Sequence, residues 1–252
     1  MSDDSSKQTL KSKSPPWNWI EALLLGLLAL IGADVVLSIL LGIIGSLLDS
    51  IPLGITNFSR LIESQSITFN FVLYVLSRLV GFGVIMYFIR RRGITLRQFG
   101  FKKFKLPQSL KYMLLAGGLL IVLTILVFLV LQQTVPSLNL EQEQDIIFTA
   151  ASGNLEKIMA FIALVIIAPI VEETIFRGLM LPVFVYRFGL VFGSILVSAA
   201  FGAIHWQLNV SIVTFIMGLL LAWIYYKTRS LWPAIMFHSL KNLVAFILIF
   251  QI

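Results

Sequence analysis

Three clusters in this chain have the residue types and spacing for hydrolytic acid–base chemistry. Glu172, Glu173 and Arg177 form the first, Phe201 and His205 the second, and His238 and Asn242 the third. Glu173 and Arg177 are i and i+4, so on a helix they share a face and can pair as ions. Glu172 projects about 100° away, outside that pair. A carboxylate withheld from bulk water holds a proton more tightly, which suits a general base acting on water near neutral pH. His238 and Asn242 are also i and i+4, so two neutral hydrogen-bonding groups leave one face together. Donors converging on one point are what a developing oxyanion requires, each contributing about 3 kcal/mol of transition-state stabilisation. Phe201 and His205 share a face as well, with small Gly202 and Ala203 between them to allow a close helix approach.

All of these residues lie in apolar runs. The 252-residue chain is 58% hydrophobic and 12% charged, with a mean hydropathy of +0.95; soluble domains run at about 45–50% apolar and roughly 25% charged. Runs of about 20 apolar residues are long enough to cross a hydrocarbon core. An all-α, polytopic transmembrane bundle of about seven helices is expected, with eight as the alternative. The spans fall at Trp19 to Leu48, Ile67 to Ile89, Tyr112 to Leu131, Lys157 to about Leu181 before Pro182, Leu190 to Trp206, Leu208 to Tyr226, and Leu231 to Ile252. Residues 1–17, polar and closed by Pro15 and Pro16, read as a disordered cytoplasmic tail; 18–252 read as one transmembrane domain with its chemical core at about 157–252.

Charge sets the expected sidedness. The net charge is +7, and Arg90 to Lys111 hold eight basic residues and no acid. A basic loop between apolar runs marks the cytoplasmic side, so nucleic acid is not an expected partner, whereas the lipid bilayer is. Gln132 to Glu156, with Glu141, Glu143, Asp145 and Glu156 but no Lys or Arg, then lies outside, and Arg187, Lys227 and Arg229 lie inside. The N-terminus is inside and the C-terminus outside, in a bacterial-type plasma membrane. With these boundaries Glu172 falls in the inner half of its helix and His205 near the outer end of the next. Asp34 and Arg78, opposite charges near mid-span in adjacent helices, are expected to pair structurally.

Other chemistries fit less well. The chain has no cysteine, no His-Glu-x-x-His pair and no intramembrane aspartate dyad, and Ser194 after Gly193 lacks an oriented base. A proton- or ion-coupled transporter would use the same buried groups as a relay but calls for related halves, and no repeat is evident. A catalytically silent scaffold has no need to bury Glu172, His205, His238 and Asn242.

The three motifs, Glu-Glu-x-x-x-Arg (Glu172, Glu173, Arg177), Phe-x-x-x-His (Phe201, His205) and His-x-x-x-Asn (His238, Asn242), in this order, resemble the intramembrane endopeptidases of the CAAX-processing and bacteriocin-processing type, the type II CAAX or Abi-like group. The resemblance covers about Pro169 to Asn242 and implies an activity like that of CAAX prenyl protease 2 on a membrane-anchored peptide or protein. It implies that Glu172 and His205 activate water, that His238 and Asn242 stabilise the oxyanion, and that Glu173, Arg177 and Phe201 support them. No cofactor is implied. The alternative is zinc held by Glu172, His205 and His238.

Overall fold

The computed structural model describes residues 14–49, 66–140 and 148–251. Eight helices account for nearly all of them: α1 (Trp19–Leu47), α2 (Ile67–Arg91), α3 (Leu96–Phe99), α4 (Leu106–Thr134), α5 (Asn154–Phe188), α6 (Leu190–Ala203), α7 (Leu208–Thr228) and α8 (Leu231–Phe250). Six are long and apolar enough to cross a membrane; α6, at 14 residues, is apolar but short, and α3 is a single turn. Among the described residues there is no strand. The all-α polytopic bundle is as expected. Glu141, Glu143, Asp145 and the tail residues Met1 to Lys13 lie outside the described residues.

Local chemistry fixes the helix starts. Asn18 accepts hydrogen bonds from the backbone of Ile20 and Glu21, and the Glu21 carboxylate returns to the Asn18 N–H, a capping box that starts α1. Ser66 caps α2 through the Phe69 N–H. α5 carries Pro169 and Pro182 and yet runs unbroken to Phe188, because a wider π-helical turn precedes each proline, at Ile162–Ile167 and Thr174–Met180. Proline lacks an N–H and crowds the carbonyl of the preceding turn; the π register gives that carbonyl room. The expected end at Leu181 is therefore corrected to Phe188.

Leu114 and Leu248 are exposed, as bilayer-facing side chains should be, while Phe176, Leu179, Met217, Leu221 and Ile224 are buried. Lipid tails are as apolar as leucine, so close approach of small residues holds the helices together. α6 is gripped this way on both sides. A Cβ on Gly193 would lie 2.6 Å from the Val185 nitrogen of α5, one on Gly202 2.6 Å from the Ser211 oxygen of α7, and one on Gly218 of α7 2.9 Å from the Ser198 Cβ. Gly81 of α2 meets α1 so closely that a Cβ would collide with the Ala29 carbonyl oxygen, whereas one on Gly83 meets nothing within 4 Å. Gly81→Ala should therefore lower thermal stability in detergent by about 1–3 kcal/mol through overpacking, and Gly83→Ala should leave it unchanged or raise it by up to about 1 kcal/mol. Equal melting shifts for the two variants would contradict this packing.

The end of the bundle that carries the basic loop is tied together. The Leu231 N–H donates to the Gly100 carbonyl at 2.9 Å, the Ser230 hydroxyl to the Lys102 carbonyl at 2.7 Å, and the Trp17 indole N–H to the Leu179 carbonyl at 2.8 Å. Trp17 is buried against Phe88 and Phe99, so the segment expected as tail is packed into the bundle by this residue. A second, smaller core at the opposite end joins α2, α5 and α8 through Ile67, Phe148, Ala160, Phe246 and Phe250.

Candidate active site

Between the two cores lies a cavity of about 390 Å³, and it gathers Glu172, His205, His238 and Asn242 onto one surface. Helical spacing explains its walls. α5 contributes Leu164, Ala168 and Glu172, four residues apart, and α8 contributes His238, Lys241, Asn242, Ala245, Phe246 and Ile249, a continuous stripe of threes and fours. His205 comes from the turn between α6 and α7.

The separation expected between Glu172 and His205 is overturned, for two reasons. α5 runs on to Phe188, 16 residues beyond Glu172, and the short α6 brings the chain to His205 15 residues after Leu190. At roughly 1.5 Å per residue both stand about 22–24 Å from the α5–α6 corner. The short helix is what sets His205 at the depth of Glu172.

Glu173 is fully buried, and its Oε1 accepts from the Arg177 guanidinium at 2.8 Å and from His238 Nδ1 at 3.0 Å. Arg177, also fully buried, donates to the Gly218 carbonyl at 3.0 Å and lies over the Phe201 ring at 4.6 Å. Phe201 is the hub: its ring meets His205 edge-on at 5.5 Å, His238 at 5.7 Å and Phe176 at 5.0 Å. Glu173 thus does more than pair with Arg177, as the helical spacing expected; it also anchors His238. Glu172 stands apart as expected: its side chain is 15% exposed, its Oε2 has no hydrogen-bond partner, and His238 Nε2 lies 3.9 Å away.

The hydrogen bonds fix how each histidine is presented. His205 Nδ1 faces the Phe201 carbonyl at 3.0 Å, and His238 Nδ1 faces the Glu173 carboxylate. A carbonyl or carboxylate oxygen only accepts, so Nδ1 carries the hydrogen in both rings and Nε2 of each is the free nitrogen. Asn242 is oriented by a defect in α5. The Ala168 N–H bonds to the Ala163 carbonyl and Pro169 has no N–H, so the Leu164 carbonyl lacks a helical donor; the Asn242 amide supplies one at 2.9 Å and keeps its second N–H.

Asp34 and Arg78 pair directly, as expected, and Arg78 also donates to the Leu30 carbonyl of the π-helical turn in α1 at 3.0 Å. The pair lines the cavity too. Ser194 does not line it. Lys241, in the intramembrane run but given no role by the motifs, lies three residues from His238 on the same stripe; that spacing was the signal for it. Among the described residues no three of His, Cys, Asp and Glu are gathered closely enough to hold a metal ion. The Glu172, His205 and His238 set thus does not fit zinc as it stands.

The multi-pass helical bundle brings these motifs together on one cavity. Residues 154–244 match the family described as Type II CAAX prenyl endopeptidase Rce1-like, a range that contains every motif residue from Glu172 to Asn242. The chain is also similar to a Bacillus subtilis protein whose name is "Putative membrane peptidase YdiL", with 30% identity over 87 residues. That match covers 34% of this chain and 35% of the relative, about a third of its length. No solved structure matches.

Proposed function

We propose that this chain is an intramembrane endopeptidase that hydrolyses a peptide bond of a membrane-anchored peptide or protein. One observation carries the reading: Glu172 is unpartnered at the cavity wall beside His238, while its neighbour Glu173 is buried and held by Arg177 and His238. A water bound between Glu172 and the free Nε2 of His205 gives a proton to Glu172 as its oxygen adds to the scissile carbonyl carbon. The oxyanion accepts from the second N–H of Asn242, and from His238 Nε2 when that ring carries both protons. Collapse of the tetrahedral intermediate breaks the C–N bond, and the proton held by Glu172 passes to the leaving amine. Glu173, Arg177 and Phe201 position His238. The proposed setting is a bacterial-type plasma membrane with the N-terminus and basic loop cytoplasmic, where the lysines and arginines are favoured.

The test is cleavage of a library of membrane-anchored peptides by purified protein in liposomes, with His238→Ala and a metal chelator in parallel. Wild type should cleave with and without chelator, and His238→Ala should lose about 10²–10³-fold in rate. Chelator-sensitive cleavage would restore the zinc reading; no cleavage by wild type would favour the scaffold or the transporter.

A further inference from the structure

Lys241 sits in the middle of α8, ten residues from Leu231 and nine from Phe250, and lines the cavity on the stripe that presents His238 and Asn242. Among the described residues no carboxylate lies within 4.0 Å of its ammonium and no hydrogen bond reaches it, whereas the two buried arginines of the spans are engaged: Arg78 by Asp34 and Arg177 by Glu173. Glu172 and Lys241 line the same cavity without an ion pair between them. A charge at mid-helix costs at least a few kcal/mol in a bilayer unless water or a ligand meets it, and such residues face cavities that serve a ligand. The other charged or titratable groups lining the cavity, besides Glu172, are the Asp34 and Arg78 pair, already matched, Tyr74 and the two histidines.

Building on the hydrolytic reading, we propose that Lys241 is a specificity residue: it binds a carboxylate of the peptide substrate, from an acidic side chain or a free C-terminus, next to the bond that the Glu172-activated water attacks. A substrate with that carboxylate supplies the anion the ammonium lacks, so binding it is favoured over binding its amide. The same cavity is also lined by the apolar Leu30, Ile31, Met217, Phe246 and Ile249, which lower the local dielectric and strengthen the attraction.

The test measures binding of fluorescein-labelled, palmitoylated peptides to the protein in nanodiscs by anisotropy, with product followed in the same samples by mass spectrometry. The peptides carry a free C-terminus, a C-terminal amide, or an amide with one Asp scanned along the sequence. Wild type should bind one carboxylate series at least about tenfold more tightly than the plain amide. Lys241→Met should erase the difference and Lys241→Arg keep it, with melting temperatures showing that both fold. Whichever series gains, free C-terminus or Asp, names the source of the carboxylate. Equal binding of all peptides by wild type, or a preference that persists in Lys241→Met, would overturn the proposal. So would a Lys241→Met variant that loses kcat while keeping the preference, which is the behaviour of a mere counterion to Glu172. A carboxylate preference without any product would keep Lys241 as an anion site and remove the hydrolytic reading.

Discussion

Arg177→Met should destabilise the bundle by about 3–5 kcal/mol, because it leaves the fully buried Glu173 carboxylate without a counter-charge. The Gly218 carbonyl loses its donor and the Phe201 ring its cation, so the α5–α7 contact and the hub beneath both histidines loosen together. Glu173→Gln with Arg177→Met should recover much of this stability, since no unpaired charge is then buried. Activity should not return, because His238 no longer has a carboxylate at Nδ1. Melting curves in detergent for the two single variants and the double variant give the coupling directly. Additive losses would show that the pair is not the unit the geometry describes, and a double variant with full activity would remove Glu173 as the residue that positions His238.

Glu172→Gln is the opposite case, with a large effect on rate and almost none on stability. The amide keeps the shape of the side chain but cannot take a proton from water, so cleavage should fall by about a thousandfold, within the roughly 10²–10⁴-fold span of general-base catalysis. The Glu172 Oε2 has no hydrogen-bond partner to lose, so melting should be unchanged or slightly higher, the mark of a residue kept for chemistry at some cost in stability. A matched loss of melting temperature and rate would make Glu172 a structural residue.

Much of the site was legible from spacing alone. The divergent directions of Glu172 and Glu173 follow from a 100° turn, the shared face of His238 and Asn242 from an i, i+4 step, and the Asp34 and Arg78 pairing from the cost of lone charges in a membrane; the structure places these side chains as those steps require. What the sequence concealed comes from backbone register. Proline normally ends a helix, so Pro182 set the end of α5 at Leu181, and nothing in the residue types announces the π-helical turn that carries the helix on to Phe188. The orphaned Leu164 carbonyl that orients Asn242 has the same origin. The second bond of Glu173, to His238, depends on how α5 and α8 are set against each other, which spacing within one helix cannot reveal. Lys241 was visible as an intramembrane charge, but only the cavity wall shows which groups it faces.

The measurement closest to the central claim is cleavage of membrane-anchored peptides by purified wild type and Glu172→Gln side by side, at matched fold and concentration, with products identified by mass spectrometry. Wild type should release fragments with a new carboxyl terminus, and Glu172→Gln should release almost none. Equal cleavage by the two proteins would contradict the assignment of Glu172 as the group that activates water.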